Sequence, residues 1–560
     1  MNTMLSLLSE ERLTTEKAGG HWRDDTIYAL AARHAEQNPA AFAIRDQNRR
    51  LTYHALVAAA NALAADLASR GVRPGQRVAV WLPSRVEAAI ALLACSRNAY
   101  VCCLSLHRDH TVAQIKELVE RMCASVIIAQ PGYGADSDRR NIFSACKEFN
   151  FLRHMYEIQP LEASGTPFDG LLTSAAADVP PPNRDPNRVI YLPFTSGTTG
   201  QPKGVMHSDN TLLASARTLG EDWHFTSATK IYTLSPLSHN LGLGALISSV
   251  CAGSELVLHD LPRGRSLYER IVETGATFLF GVPTHAIDLL SEMRARRAEN
   301  LGAVTGFRIS GAAASSEVLS ELLGYGVTPQ SGYGMTETCS HQYTLPTDDP
   351  SLLVESCGRA CRGYEVRIWR ADDPDIEAVT GEIGQIGGRG ASLMLGYFDD
   401  QITTEESFNK HGWFMTGDLG WMDEQGFLRI SGRKKDVIIR GGHNIYPARI
   451  EALAMKHPAI DKVAAFAISD TRLGERVCLA AALRPGSKLT DDELLTYLDD
   501  AGLSKYDMPE YLLWLEAMPL TASGKIIKRD LSDQVAAGLL KPHKVRFEAK
   551  AVSSQLQPEG

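Results

Sequence analysis

The stretch that decides the fold is Tyr191-Leu-Pro-Phe-Thr-Ser-Gly-Thr-Thr-Gly-Gln-Pro-Lys-Gly204. The apolar run 189–194 that leads into it predicts a buried strand. Glycines let backbone N–H groups approach an anion closely, hydroxyls add donors, and a lysine adds positive charge. The stretch therefore predicts a phosphate-binding loop, not of the Walker A type because the G-x-x-x-x-G-K-[ST] spacing is absent. The alternative is a flexible Ser/Thr/Gly turn.

A second motif places an acid beside hydroxyl groups in a glycine-rich turn, Ser331-Gly-Tyr-Gly-Met-Thr-Glu-Thr338. A carboxylate next to a threonine hydroxyl suits Mg²⁺ and phosphate oxygens. A surface turn with an unpaired glutamate is the alternative for this motif taken alone.

Two further motifs suit a nucleoside. Residues 310–315, Ser-Gly-Ala-Ala-Ala-Ser, carry no side chain beyond a methyl or hydroxyl group, so a flat ring can lie against the backbone. Asp418, in Thr416-Gly-Asp-Leu419, can accept hydrogen bonds from ribose hydroxyls, as acidic residues do in dinucleotide sites. In isolation, both motifs are also typical of ordinary turns.

Two lysine-containing motifs complete the set, Ser431-Gly-Arg-Lys-Lys-Asp436 and Pro519-Leu-Thr-Ala-Ser-Gly-Lys-Ile526. Alone, each is typical of a solvated basic segment. Together, and in this order, the motifs resemble the signature of the adenylate-forming superfamily of AMP-binding enzymes, which includes acyl-CoA synthetases, luciferases and peptide-synthetase adenylation domains. The resemblance extends over nearly the whole chain, from residues 51–53 to residue 529.

The resemblance implies a fold and a domain organisation. The fold is α/β: a large N-terminal domain of two parallel-sheet α/β subdomains plus a distorted β-barrel, and a small mobile α+β C-terminal domain. The implied boundaries are residues 1–432 for the N-terminal AMP-binding domain and 436–560 for the C-terminal lid, with a hinge at 433–435 that contains Lys435.

The resemblance also assigns roles by motif position. It places Mg²⁺ on Glu337, a phosphate contact on Thr336 and a gate beside the substrate on His239. It makes Lys525 the catalytic lysine, whose ammonium bridges the acid and the α-phosphate as negative charge gathers. The nucleotide and coenzyme A contacts fall to Thr195, Ser196, Gly197, Thr198, Thr199, Lys203, Gly311, Ala312, Tyr333, Asp418, Arg433, Gly441 and Gly442.

The implied reaction has two half-reactions. A carboxylate attacks the α-phosphate of MgATP to give acyl-adenylate and pyrophosphate, and a thiol, that of coenzyme A, then displaces AMP. Relatives that activate amino acids carry an aspartate near residues 236–240, whereas this chain has Pro-Leu-Ser-His-Asn. An uncharged acyl tail is therefore favoured. Small residues at 242, 244 and 311–313 leave room for a medium-chain, alicyclic (cyclohexanecarboxylate-like) or aromatic acid.

Three functions remain open at this point: an acyl-CoA ligase, which we favour, a freestanding adenylation enzyme that loads a carrier protein, and a silent AMP-binding protein. The segment before Lys525 also resembles sites that lysine acetyltransferases modify in bacterial relatives. Acetylation would remove the charge of Lys525 and with it adenylation. The sequence leaves the oligomeric state open.

Composition narrows the class of protein. The net charge of -9 over 560 residues, without a long basic block, argues against a nucleic-acid partner. No apolar run approaches the roughly 18 residues of a membrane span, and residues 1–10 do not form a secretory signal. The ten cysteines contain no C-x-x-C and predict reduced, buried thiols in a cytoplasmic protein. His107 and His110 lack zinc-spaced partners and predict an exposed loop.

Local patterns predict β/α alternation and hence parallel sheets. Apolar spacing of three and four predicts helices over 55–67, 87–95 and 284–296, and short apolar runs predict strands over 78–82 and 278–282. The glycine-dense segment 381–390 predicts turns of a β-rich region.

Overall fold

The computed structural model describes residues 5–160, 165–172, 180–195, 202–261, 264–312, 314–441, 443–520 and 526–547. The chain forms two compact units. The first comprises 1–382, 386–416 and 422–429, and the second comprises 383–385, 417–421 and 430–560. The hinge at 433–435 and the domain boundaries inferred from the sequence remain predictions.

The α-helices, in chain order, are α1 (Glu10–Ala18), α2 (Ile27–Gln37), α3 (Tyr53–Ser69), α4 (Val86–Asn98), α5 (Val112–Arg121), α6 (Ile142–Ala145), α7 (Asp209–Asp222), α8 (Asn240–Ala252), α9 (Leu267–Thr274), α10 (Pro283–Arg296), α11 (Ser316–Gly324), α12 (Pro350–Glu355), α13 (Gln401–Glu406), α14 (Pro447–Ala454), α15 (Asp491–Asp500) and α16 (Lys528–Ala536). A 3₁₀ turn spans Lys434–Asp436.

The strands are β1 (Phe42–Arg45), β2 (Arg50–Thr52), β3 (Arg77–Trp81), β4 (Val101–Cys103), β5 (Ala124–Ala129), β6 (His154–Glu157), β7 (Val189–Tyr191), β8 (Phe194–Thr195), β9 (Lys203–Gly204), β10 (His207–Ser208), β11 (Lys230–Thr233), β12 (Glu255–Leu258), β13 (Phe278–Gly281), β14 (Gly306–Ser310), β15 (Thr328–Met335), β16 (Cys339–Tyr343), β17 (Arg359–Ala360), β18 (Tyr364–Trp369), β19 (Gly384–Gly390), β20 (Phe414–Met422), β21 (Leu428–Arg433), β22 (Ile438–Arg440), β23 (His443–Ile445), β24 (Ile460–Asp470), β25 (Gly474–Leu483), β26 (Tyr511–Trp514) and β27 (His543–Lys544).

Two large sheets of the first unit confirm the predicted α/β class. A nine-stranded sheet has the order β17-β16-β15-β14-β13-β11-β12-β1-β2, and a six-stranded sheet has the order β10-β7-β4-β3-β5-β6. Their central strands pair in parallel, for example β13 with β14 and β14 with β15. Parallel strands need helical crossovers, which the alternating pattern supplies.

Smaller sheets complete the fold. Strands β18-β19-β20-β21 form a four-stranded sheet, and β8 pairs with β9. In the second unit, β23-β22-β25-β26-β27 form a sheet to which β24 adds by pairing with β25. Helices α14, α15 and α16 belong to the same unit, which is therefore a distinct C-terminal α+β domain.

The predicted helices and strands are confirmed within a few residues of their ends. The helix expected at 55–67 is α3, which begins two residues earlier because the Thr52 hydroxyl accepts a hydrogen bond from the Ala55 N–H and caps it. The helices expected at 87–95 and 284–296 are α4 and α10, and the strands expected at 78–82 and 278–282 are β3 and β13.

Two local predictions were wrong in detail. The single strand expected over 189–194 is split into β7 and β8, which belong to different sheets, because Pro193 has no N–H to continue a ladder. The segment 381–390 does lie in a β-rich region, but most of it is the strand β19 rather than turns. There glycine permits close packing: a Cβ on Gly387 would lie 2.5 Å from Nε1 of Trp369.

Candidate active site

The predicted phosphate loop is bracketed by a short antiparallel pair. Thr195 of β8 is the register partner of Lys203 of β9, and both are half-buried. The pairing brings the lysine beside the hydroxyl residue at the opposite end of the loop. The other predicted loop contacts lie outside the described residues: Ser196, Gly197, Thr198 and Thr199.

Tyr397 connects the loop to the predicted metal ligand. Its hydroxyl donates a hydrogen bond to Oε1 of Glu337 over 2.9 Å, and the Lys203 ammonium lies 4.9 Å from the centre of its ring. Both Tyr397 and Glu337 are buried. Because burial and the Glu337 carboxylate raise the pKa of Tyr397, the phenol stays protonated and donates. Sequence reasoning missed Tyr397, which no motif marks.

The segment 392–398 joins the loop to the second motif through its backbone. The Met394 N–H donates to the Glu337 carbonyl over 2.7 Å, and the Phe398 N–H donates to the Gly204 carbonyl over 2.7 Å. The Ser392 hydroxyl donates to the Thr338 carbonyl over 2.9 Å. These bonds fix the spacing between residues more than a hundred positions apart in the chain.

A buried histidine holds the backbone of the predicted phosphate contact. Nε2 of His207 lies 2.7 Å from the Thr336 carbonyl oxygen, and Nδ1 lies 3.0 Å from Oγ1 of Thr211. Because a carbonyl oxygen only accepts, Nε2 must carry the proton. Burial lowers the pKa of His207 to about 4, so the ring is neutral at neutral pH. His207 lies three residues after Gly204, and that closeness to the loop was the available signal.

The predicted gate residue belongs to a row of stacked imidazoles. The ring of His239 lies 4.3 Å from that of His107 at an interplanar angle of 14°, and His107 lies 5.3 Å from His110. The expected exposed loop is confirmed at residues 108 and 109, whereas His107 and His110 are half-buried. His107 is half-buried because the loop follows the interior strand β4, and desolvation of its ring lowers its pKa to about 3.

The small-residue motif is open on one side. Gly311 and Ala312 are both exposed, and Gly311 adopts φ +92°, where a side chain would strain the backbone. Tyr333 of β15 has its ring 5.4 Å from that of His341 of β16. The exposed Gly311 backbone leaves room for a flat ring, as the adenine assignment requires.

The remaining described site residues lie in the second unit. Nε of Arg433 lies 3.3 Å from Oδ1 of Asp418, so these two predicted ribose contacts pair with each other. Gly441, with φ +58°, follows β22 and is exposed. Lys525 and Gly442 lie outside the described residues. The roles of all these residues remain predictions.

Three general properties follow from the described residues. All ten cysteines are free thiols, seven of them buried. Among the described residues, no helix has the length and apolarity to cross a membrane. Over the same residues, no group of three or more His, Cys, Asp or Glu side chains is arranged to hold a metal ion.

Comparison with known proteins identifies the family of the chain. The model of the AMP-binding enzyme family matches residues 31–398, and that of the AMP-binding enzyme C-terminal domain matches residues 449–525. The chain is 28% identical over 525 residues to the medium-chain fatty-acid–CoA ligase of Escherichia coli K12, covering 93% of this chain and 92% of the relative.

A second relative is the 3-[(3aS,4S,7aS)-7a-methyl-1,5-dioxo-octahydro-1H-inden-4-yl]propanoyl:CoA ligase of Mycobacterium tuberculosis, 29% identical over 91% of this chain and 98% of that one. Among solved structures, ATP-bound MatB of Rhodopseudomonas palustris superimposes with a TM-score of 0.79 at 26% identity, covering 91% of this chain and 99% of the other. The chain belongs to the AMP-binding enzyme family of the adenylate-forming superfamily, and it is an acid–thiol ligase.

Proposed function

We propose that the chain is an ATP-dependent carboxylate–CoA ligase that forms acyl-AMP and pyrophosphate and then acyl-CoA and AMP. The observation that carries the proposal is the contact of Tyr397 with both Lys203 and Glu337. Through this contact the Lys203 ammonium, which suits phosphate, and the Glu337 carboxylate, which suits a metal ion, both adjoin the buried side chain of Tyr397. The names of the two relatives, both CoA ligases, support coenzyme A as the acceptor.

The donor set fits Mg²⁺. Mg²⁺ usually takes one or two protein carboxylates and completes its shell with water and substrate phosphates, so a dedicated cage of protein ligands is not required. Glu337, with Thr336 beside it, would hold the ion. When bound, Mg²⁺ supplies positive charge against the phosphate oxygens.

The first half-reaction is limited by repulsion between two anions. The acid's oxygen forms a bond to the α-phosphorus while the bond to pyrophosphate breaks. Lys525 and Lys203 offset the repulsion by positive charge, and Asp418 holds the ribose so that the phosphate stays in line. In the second half-reaction the thiol sulfur attacks the acyl carbonyl, AMP leaves with the bonding pair, and Gly441 and Gly442 line the path of the thiol.

The acid is, in this proposal, medium-chain, alicyclic or aromatic. The E. coli relative is named for medium-chain fatty acids and the M. tuberculosis relative for a fused-ring propanoyl group, so acids of both shapes are accepted within the family. In this chain, the small residues Gly311 and Ala312 leave space beside the site.

The test is a product analysis by mass spectrometry with MgATP and a panel of short, medium, alicyclic and aromatic acids, with and without coenzyme A. We expect thioester only when coenzyme A is present, and only for one class of acid. A Glu337→Gln variant, which keeps the shape but removes the charge, should lose product in both conditions. Acyl-adenylate that accumulates and ignores coenzyme A would contradict the proposal and favour the alternative, loading of a separate carrier protein.

Two subsidiary proposals concern regulation and location. We propose that acetylation of Lys525 by a lysine acetyltransferase silences adenylation, because it removes the charge that the first half-reaction needs. Protein acetylated at that lysine alone should form no acyl-adenylate, and full activity would contradict this. We also propose a cytoplasmic location, which the free thiols support; cell fractionation tests it.

A further inference from the structure

A cavity lies in the first unit between α7, α8 and the nine-stranded sheet. The space between these elements is partly open to solvent. Leu212 of α7 and Leu243 of α8 line one side, and Phe280, Cys339 and Ser340 of the sheet line the other. Asn240, which follows the predicted gate His239, also lines it and donates a hydrogen bond to the Met335 carbonyl over 3.3 Å. The cavity therefore adjoins the candidate active site.

The sheet residues that lie between these walls are polar. Phe280 belongs to β13 and Cys339 to β16, and in the sheet order β14 and β15 lie between them. Arg308 of β14 is the register partner of Phe280 on one side and of Gln330 of β15 on the other. Register partners in a parallel sheet point to the same face. Arg308 and Gln330 therefore lie on the face that carries the cavity.

Arg308 is a buried cation with unused donors. The side chain is fully buried, and its Nη1 donates to Oε1 of Gln330. Its Nε and Nη2 have no hydrogen-bond partner among the described residues, and neither does Nε2 of Gln330. The guanidinium also lies against the second motif, since a Cβ on Gly332 would come within 2.7 Å of Nη2.

No described carboxylate balances this charge. The groups that interact with it electrostatically are Tyr343, Cys361 and His341. The first two have raised pKa values and His341 a lowered one, so all three are neutral at neutral pH. Burial lowers the pKa of Arg308 to about 10, which leaves the guanidinium charged. Asp222 accepts a hydrogen bond from Tyr343 but forms its ion pair with Arg362. An unpaired buried charge costs several kcal/mol, so an anion is the expected partner.

A fourth unused donor lies on the opposite wall. Ser248 of α8 lines the cavity, is 1% exposed, and its hydroxyl has no hydrogen-bond partner among the described residues. Ser248 thus lines the cavity directly, while Arg308 and Gln330 lie on the sheet face that bounds it. A purely aliphatic acyl chain would leave all of them unsatisfied, at a cost of about 1–3 kcal/mol for each.

We propose that the acid substrate carries a second carboxylate, which pairs with Arg308 and Gln330 while the reactive carboxylate faces the nucleotide. The inference rests on the proposed ligase activity and narrows its substrate to medium-chain dicarboxylic acids. A guanidinium with two free donor atoms suits bidentate binding of a carboxylate. The proposed second carboxylate replaces the uncharged acyl tail expected from the sequence. That expectation rested only on the absence of an aspartate that would bind an ammonium group.

The experiment compares acids of equal length, hexanoate with adipate and octanoate with suberate, by acyl-CoA formation in the wild type, Arg308→Met and Ile309→Val. Ile309 is buried on the other face of β14 and serves as the matched control. We expect the wild type to favour the diacids by about tenfold or more in kcat/KM, as one charge-assisted contact predicts. Arg308→Met should reverse this preference, while Ile309→Val should keep it.

Thermal unfolding shows whether a loss of activity in Arg308→Met arises from loss of the folded state. Removing the unpaired buried charge offsets the loss of the hydrogen bond to Gln330, so Arg308→Met should change Tm little. Adipate should raise Tm of the wild type but not of Arg308→Met. Ligation of monocarboxylic acids with no preference for diacids in the wild type would overturn the inference and leave the ligase proposal intact. No thioester from any acid would instead overturn the ligase proposal itself.

Discussion

The hydroxyl of Tyr397 donates a 2.9 Å hydrogen bond to Oε1 of Glu337, and both side chains are buried. The bond ties the predicted metal ligand to a residue sixty positions further along the chain. A buried carboxylate that receives a fixed donor keeps its position when phosphate charge accumulates beside it. The position of Glu337 thus depends on a residue that no motif includes.

Removing this hydroxyl should weaken the site without unfolding the chain. Hydrogen bonds to charged groups contribute about 1.5–3 kcal/mol, so Tyr397→Phe should lower kcat/KM by about tenfold or more. Acyl-CoA formation at several Mg²⁺ concentrations measures the effect. The control is Tyr232→Phe, which removes a buried hydroxyl that contacts His259 elsewhere in the unit. Equal losses in the two variants would contradict a specific role for Tyr397.

Asp418 should recognise ribose. If its carboxylate accepts the ribose hydroxyls, the wild type should use 3′-deoxy-ATP or 2′-deoxy-ATP less well than ATP, and Asp418→Ala should not distinguish them. Steady-state KM for the three nucleotides gives the comparison. Arg433→Ala is the comparison variant, because Arg433 lies 3.3 Å from Asp418. This variant should raise KM for all three nucleotides by the same factor. Unchanged discrimination in Asp418→Ala would place ribose recognition elsewhere.

Lys525→Ala should separate the two half-reactions. The variant should fail with acid and ATP, because no ammonium offsets the repulsion between the anions. It should still convert supplied acyl-adenylate to thioester, since the second step no longer requires that charge. Pyrophosphate release measures the first step and thioester mass the second. Wild-type pyrophosphate release in the variant would show that another group performs the role.

Buried histidines should make the protein sensitive to acid. Burial lowers the pKa of His207 to about 4 and that of His341 to about 3, from 6.5. Below pH 6.5 the unfolded chain binds protons that the folded chain does not. The free energy of unfolding therefore falls as pH drops from about 6.5 toward 4, by up to about 1.4 kcal/mol per pH unit for each group.

Urea unfolding at pH 7.5 and 5.5 measures this slope. His207→Gln should reduce the slope, because one proton-binding difference is removed, while His54→Gln, at an exposed histidine, should leave it unchanged. An unaltered slope in His207→Gln would mean that the acid sensitivity arises from other groups. His207→Gln also tests whether the position of Thr336 depends on the hydrogen bond from His207 to its carbonyl oxygen.

Motifs and periodicity predicted most of the fold. Helices such as α3 and strands such as β13 have apolar spacing that is visible within one segment, and each was placed within a few residues. The break between β7 and β8 at Pro193 and the strand β19 were not predicted, because strand pairing and close packing involve partners distant in the chain. A glycine that packs against Trp369 cannot be distinguished in sequence from a glycine in a turn.

The sequence by itself determined the chemistry: the loop, the carboxylate of Glu337 and the order of the motifs carry the family and the reaction class, because those residue types and spacings are local. The tertiary structure alone decided which side chains adjoin them. Tyr397 beside Glu337, His207 under Thr336, and the unpaired Arg308 beneath the cavity follow from strand order and register, which bring distant segments together. Burial then set the protonation of these groups, and burial is a property of the packed chain rather than of any segment.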